Sequence, residues 1–405
     1  MRNHWRSTLG AFIALGLIGA SSIASAQVNP AVSPTEIKIG QTFAYSGPAS
    51  AGGVQGKLER AYFNEMVNEL GGAAGRKVNL ISYDDGYSPP KTVEQVRRLV
   101  EVDEVLFIFN SLGTPTNSAV QRYLNQKHVP QLFVSSGANK WGNYQQFPWT
   151  IGWQPSYRTE AQVYARFMLH QKPDAKLAIL FQNDDFGKDY PAGVRDVLGE
   201  RYSEVVTEAT YEATDPGVAS QIISLQASGA NALLLAAGPK FTALAIRTVH
   251  DHGWAPMLFL SNVSTSVGAV IQPAGPENAI GVLTGQFLKD PTDPRWNGDS
   301  GMREWHAFMD KYLPGADKTD SYYVTGYAVS HTMLQVLRQC DGDFSRENIM
   351  KQATNLHDLD NPLLLPGIRI NTSPTNFRPI TAMQLARWNG KTWELFGAVI
   401  QGTGS

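Results

Sequence analysis

From Glu36 onward, short apolar runs alternate with segments whose apolar side chains recur at three- to five-residue steps. EIKIGQTF (36–43), VNLISY (78–83), VLFIFN (105–110) and VPQLFVSS (129–136) read as buried strands. Between them, Val54, Leu58, Ala61, Met66 and Leu70 hold helical spacing until Gly71-Gly72 stops it, PKTVEQVRRLV opens on proline, and SAVQRYLNQ follows VLFIFN. The order β-α-β-α-β-α-β predicts a parallel sheet covered by helices.

The rhythm breaks at NYQQFPWTIGWQPS (143–156) and restarts: AKLAILFQ (175–182), YSEVVTEATY (202–211), NALLLAA (231–237) and PMLFLS (256–261) read as strands, with GVRDVLGE, VASQIISLQ and TALAIRTVHDHG between them. A second α/β lobe follows, with 143–156 as the first crossing between the two. AIGVLTGQF (279–287) and PLLLPGIRI (362–370) are extended runs suited to a second and third crossing. That division assigns 27–151 plus 286–366 to one lobe and 152–285 plus 367–405 to the other. Long helices are expected at 301–312 and 320–340, and a hairpin at Asn389-Gly390, where both residues tolerate positive φ.

The first residues change the compartment. Arg2, His4 and Arg6 precede an apolar stretch, Leu9 to Ala20, and Ala24-Ser25-Ala26 has the form of a signal-peptidase site. Residues 1–26 therefore read as a cleaved secretory leader, and no later segment is apolar enough to span a bilayer. The one cysteine, Cys340, excludes an internal disulfide. A formal net charge of −2 argues against a nucleic-acid partner.

Enzyme signatures are missing: no G-x-S-x-G, no strand followed by G-x-G-x-x-G, no H-E-x-x-H. Gly390-Lys391-Thr392 belongs to the hairpin, His250-Asp251-His252 to a helix end, and the pairs Asp84-Asp85 and Asp184-Asp185 suit turns and caps better than acid–base chemistry. The remaining candidates are the turns at the carboxyl ends of the strands, where open α/β sheets bind ligands. AYSGPASAGG (44–53), SLGTPTNS (111–118) and SSGANKW (135–141) contain one charge among them, Lys140. QNDDFG (182–187), AAGPKF (236–241) and SNVSTS (261–266) are the second lobe's counterparts. Hydroxyls and N–H dipoles without Arg suit a carboxylate; each turn taken alone is also an ordinary strand-to-helix connection.

A leader followed by IKIG, YSGPAS, NELGG, YDDG, LGTPTNSA, VPQLFVSS and FGKDY resembles the periplasmic solute-binding proteins of the branched-chain amino acid (Leu/Ile/Val-binding-like) type, receptors of ABC importers, over essentially the whole mature chain. The resemblance implies the type I fold of two α/β lobes, three crossing strands and a ligand in the cleft. It implies that Thr114 and Ser136, Gly137 and Ala138 hold a carboxylate, with Ser46, Ser135 and Gly238 in neighbouring turns, and that Phe186 covers the ligand. Amino-acid-binding members carry an acidic residue after the strand matching PMLFLS; here Asn262 and Val263 stand there, which disfavours a ligand ammonium. LGTPTNSA and SSGANKW resemble the aromatic-acid-binding branch. Tyr45, Trp141, Trp153 and Phe186 offer flat surfaces to a ring, although Trp141 and Trp153 equally suit hinge packing. The expectation is a monomeric, non-enzymatic periplasmic receptor without cofactor or metal, delivering a small carboxylate to an inner-membrane ABC permease. A ligand-sensing partner of a membrane signalling protein is the alternative.

Overall fold

The computed structural model describes residues 30–402, so the leader lies outside the described residues. The first lobe runs β1 (Glu36–Phe43), α1 (Gly53–Ala61), β2 (Lys77–Asp84), α2 (Pro89–Glu101), β3 (Ile108–Phe109), α3 (Thr114–Gln126), β4 (Gln131–Val134) and β5 (Thr150–Gly152). The second lobe begins with α4 (Tyr157–Gln171) and continues through β6 (Leu177–Gln182), α5 (Asp185–Leu198), α6 (Tyr202–Val205), β7 (Val206–Tyr211), α7 (Ala219–Ala227), β8 (Ala232–Ala236), α8 (Pro239–Asp251), β9 (Met257–Leu260), α9 (Gln272–Ala274) and β10 (Leu283–Gln286). Then come α10 (Ser300–Tyr312), α11 (Tyr322–Gln339), α12 (Arg346–Ala353), β11 (Ala382–Trp388) and β12 (Trp393–Gln401).

The first sheet has the order β2-β1-β3-β4-β5 and is parallel throughout. The second, β12-β11-β10-β9-β8-β6-β7, is parallel from β7 to β10 and antiparallel at the β11–β12 hairpin. Its central strands are apolar on both faces because helices cover both. In β8, Leu233 and Leu235 enter one core while Ala232, Leu234 and Ala236 enter the other. The apolar run VLFIFN yields only a two-residue strand, since Asn110 takes φ +45 and turns the chain out of the ladder. YSEVVTEATY also differs from expectation: its first four residues form α6, and Tyr202 packs under the Arg195 guanidinium.

Three passages join the lobes. The first lies between β5 and α4. The second follows β10, where Phe287 and Leu288 already belong to the first lobe's core. The third lies later than the pattern predicts. Ile368, Ile370, Phe377 and Ile380 are in the first lobe's core, and the segment beyond Leu365 folds back through a Leu359–Ile370 bridge before β11 begins. Helices α10, α11 and α12 pack on this same core around Trp305 and Tyr327. Among the described residues no helix is long and apolar enough to cross a membrane.

Candidate functional site

The carboxyl ends of both sheets face a cleft of about 1170 Å³, part of it open to solvent. Leu112, Gly113, Thr114 and Ser135 line it from the first lobe, and Phe186, Gly238, Phe241, Asn262 and Val263 from the second. Tyr322 and the crossing residues Gln286 and Phe287 complete its wall. Contacts bridge the lobes around it. Asn139 N–H donates to Asp189 Oδ2 (2.6 Å), Lys140 pairs with Asp185 (3.1 Å), Ser266 donates to Asp320 (2.8 Å) and Tyr322 O–H donates to the Val263 carbonyl (2.5 Å). The lobes are therefore closed.

On the first lobe, the SLGTPTNS turn consumes most of its own polar groups. Thr116 bonds the carbonyls of Leu112 and Gly113, and Asn117 Nδ2 donates to Ser111 and Gly113. Gly113 has φ +99, and a Cβ there would sit 2.4 Å from the Tyr87 ring, so the tight turn needs glycine. One hydroxyl remains to serve a guest. Ser136 Oγ accepts from Trp141 Nε1 (2.9 Å) and Ala138 N–H (3.2 Å) and lies 2.6 Å from Thr114 Oγ1. Thr114 and Ser136 share one hydrogen bond, and the Tyr157 hydroxyl also lies against Ser136, so Thr114 lines the cleft as a hydroxyl held in place from behind.

Of the residues expected at the site, Thr114, Ser135, Phe186, Gly238 and Asn262 line the cleft. The others do not. Tyr45 O–H bonds Ser82 (2.5 Å) and burial pushes its pKa up to about 12; Ser46 is held by Asp84 through N–H and Oγ. Ser136 and Ala138 lie behind Thr114, and Gly137 is a hinge contact whose carbonyl accepts from Tyr157 N–H (2.8 Å). Trp141 is buried as the donor that pins Ser136. Trp153 is buried too, donating to Thr332 and packing edge-on to Phe287, so both indoles serve the lobe and hinge interior instead of covering a ligand.

The second lobe holds a feature the turn sequences do not reveal. Glu160, on α4 and fully buried, accepts from Tyr164 O–H and Asn262 N–H (2.7 Å) at Oε1, and from Tyr190 O–H (2.9 Å) and Asn262 Nδ2 at Oε2. Burial pushes its pKa up to about 7, against the pull of those four donors. A carboxylate thus stands one layer behind Asn262. Gln55, Tyr87, Tyr157 and Tyr322 also line the cleft without having been expected; their nearness to the strand-end turns was the only available signal.

The paired acids have structural roles. Asp184 caps α5 through Phe186 N–H (2.9 Å) and Gly187 N–H (3.2 Å), which fixes the Phe186 ring at 5.0 Å from Tyr157, and Asp85 accepts from Tyr87 N–H and Thr92. At the hinge end of the cleft, Asp290 Oδ1 accepts from Thr292 N–H while Oδ2 is buried without a partner, as is Gln286 Nε2. Burial pushes Asp290 up to about 6. Among the described residues no three His, Cys, Asp or Glu are grouped to hold a metal. Cys340 is buried and its thiol is pushed up to about 12, which makes it unreactive at neutral pH. The arrangement encloses and hydrogen-bonds; it presents no nucleophile with a base beside it.

A family model described as periplasmic binding protein matches residues 36–392. Leu/Ile/Val-binding protein homolog 7 of Brucella abortus (strain 2308) is 22% identical over 388 residues, covering 91% of this chain and 93% of that one. Among solved structures, a branched-chain amino acid ABC transporter protein from Thermus thermophilus with bound valine superposes with a TM-score of 0.80 at 15% identity, covering 92% and 98% of the two chains. A fatty acid ABC transporter substrate-binding protein from Thermomonospora curvata superposes at 0.77 with 20% identity, covering 93% and 95%.

Proposed function

The chain belongs to the periplasmic binding protein family, a family of binding proteins and not of enzymes, and we propose that it is the periplasmic receptor of an ABC importer, capturing a small carboxylate between its lobes and delivering it to the permease. The observation that carries this reading is the closed, largely apolar cleft with the Thr114 hydroxyl at one wall and the Phe186 ring held at the other. The ligand we favour is an aromatic acid over a branched-chain amino acid. Phe186, Phe241, Tyr157 and Tyr322 suit a ring, and the turn after β9 offers Asn262 and Val263 where amino-acid-binding members carry an acid. The carboxylate would take the Thr114 hydroxyl and the N–H groups that open α3. Ligand would favour the closed state through contacts that only the closed lobes make together.

The test is calorimetry of ligand-stripped protein against aromatic acids and branched-chain amino acids, with mass spectrometry of whatever small molecule co-purifies. Aromatic acids are expected to bind more tightly. Tight leucine binding with no response to any amine-free carboxylate would reverse the ligand assignment.

A further inference from the structure

The four bonds on Glu160 decide more than the stability of the second lobe. An ionised carboxylate only accepts, and it has about four lone-pair sites. Here all are filled: Tyr164 and the Asn262 main chain on one oxygen, Tyr190 and the Asn262 side-chain amide on the other. Ser261 Oγ lies 2.5 Å from the Tyr190 hydroxyl and completes the ring of bonds. The NH2 of Asn262 is thereby committed inward. Its Oδ1 has no partner among the described residues and is left for the cavity that Asn262 lines.

We infer that Glu160 is a positioning residue that fixes the polarity of Asn262, so that the second lobe's wall presents a hydrogen-bond acceptor and the cleft selects a carboxylate that also carries a hydrogen-bond donor such as a hydroxyl. This rests on the carboxylate-capture reading and adds to it. The first lobe offers the Thr114 hydroxyl to the anionic end; the second offers a lone pair to a donor elsewhere on the same guest. Asn262 in place of an acid does not make this wall indifferent to donors; it replaces a charge at the surface with a dipole held by a charge beneath.

Substitution Glu160→Gln reverses the geometry by necessity. The main-chain N–H of Asn262 cannot turn, so the new carbonyl oxygen must remain at the Oε1 position and the new NH2 must face the Asn262 amide. Two NH2 groups cannot bond each other, and Asn262 must rotate, presenting NH2 to the cleft in place of Oδ1.

The experiment measures, by calorimetry, the binding of 3-phenylpropanoate, 3-phenyllactate and phenylalanine, alongside benzoate and 4-hydroxybenzoate, to the stripped protein and to E160Q. Donor-bearing members are expected to bind at least about tenfold more tightly than their unsubstituted parents, and E160Q to bring that ratio to about one. Equal affinity for parent and donor-bearing acids in the unsubstituted protein overturns the inference. A loss in E160Q that leaves the ratio intact also overturns it, since a merely structural Glu160 would weaken all probes alike. Phenylalanine binding best would sustain this inference while reversing the preference for amine-free acids. Should none of the acids bind, the capture reading falls, yet the Asn262 side-chain NH2 resonances still decide: slow solvent exchange that becomes fast in E160Q supports the buried orientation, and fast exchange in both overturns it.

Discussion

On the first lobe, the cleft wall rests on Ser136, a neutral hydroxyl joining Thr114, Trp141 and Ala138 within one loop and the helix before it. On the second, it rests on Glu160, a carboxylate that joins Tyr164, Tyr190 and Asn262 from three separate elements. Both hubs lie one layer behind the residue that faces the cavity and hold it there by hydrogen bonds, and Glu160 also fixes which way the Asn262 amide points. They differ in cost. The neutral hub needs little desolvation, whereas the charged one is tolerated in the interior only because every lone pair is matched. Removal should expose the difference. Glu160→Ala leaves several buried donors and a void, so it should destabilise the protein by about 3–5 kcal/mol, against about 1–2 kcal/mol for Ser136→Ala. Urea melts of the two variants check this, and equal losses would break the contrast between the walls.

The hinge end sharpens it further, because there a carboxylate is buried without full compensation. Asp290 is raised to about 6 from an ordinary 3.8. The folded state therefore binds its proton more tightly than the unfolded state does. The associated stability is present below about pH 4, is lost as pH rises through about 6, and stays lost above that. Asp290→Asn keeps an oxygen for Thr292 N–H and removes the charge. It should stabilise the ligand-free protein at pH 7 by roughly 2–3 kcal/mol, with no gain at pH 4. Melting curves at the two pH values decide; a loss of stability at pH 7 would mean that the ionised group is held by something other than Thr292.

How far the sequence disclosed these two walls follows from the distances involved. The first-lobe wall was legible: Thr114 and Ser135 sit at the turns that follow β3 and β4, and turns at strand ends declare themselves through Gly, Ser, Thr and Pro. Glu160 was not, because it lies 102 residues from its partner Asn262 and looks like any acid in the first turn of a helix. Periodicity places a residue on a face but does not say which distant donors will meet it. The tryptophans misled for a related reason. A large ring next to a crossing suits a ligand or a hinge equally, and only packing assigned Trp153 to Phe287 and Thr332. The third crossing was set too early because PLLLPGIRI reads as a strand, whereas its apolar residues pair back into the first lobe.

If the first-lobe wall works through the Thr114 hydroxyl, Thr114→Val should weaken ligand binding by about 1–3 kcal/mol, roughly 5- to 150-fold in Kd. Valine keeps the shape of threonine and removes both the hydroxyl offered to the cleft and the partner of Ser136. Calorimetry with the tightest-binding aromatic acid measures it. An unchanged Kd would shift the anion's reception to the N–H groups at the start of α3 alone.

The smallest effect should come from the one charge in the first-lobe turns. Lys140 pairs with Asp185 across the cleft mouth at 3.1 Å and donates to Ser118, but its side chain is 32% exposed and that of Asp185 is 57% exposed. Solvent screens such a pair, which is worth about 0.2–1 kcal/mol at low salt and less as ionic strength rises. Lys140→Ala should therefore raise Kd by no more than about fivefold in dilute buffer, and the difference should shrink at 0.5 M salt, where the Debye length falls to about 4 Å. The size of the effect bears on the wall itself. A tenfold or larger loss that persists in high salt would mean that the ammonium meets the ligand's carboxylate directly, and the first lobe would then be a charged wall, matched to an anion by a counter-ion where the second matches a donor by a dipole.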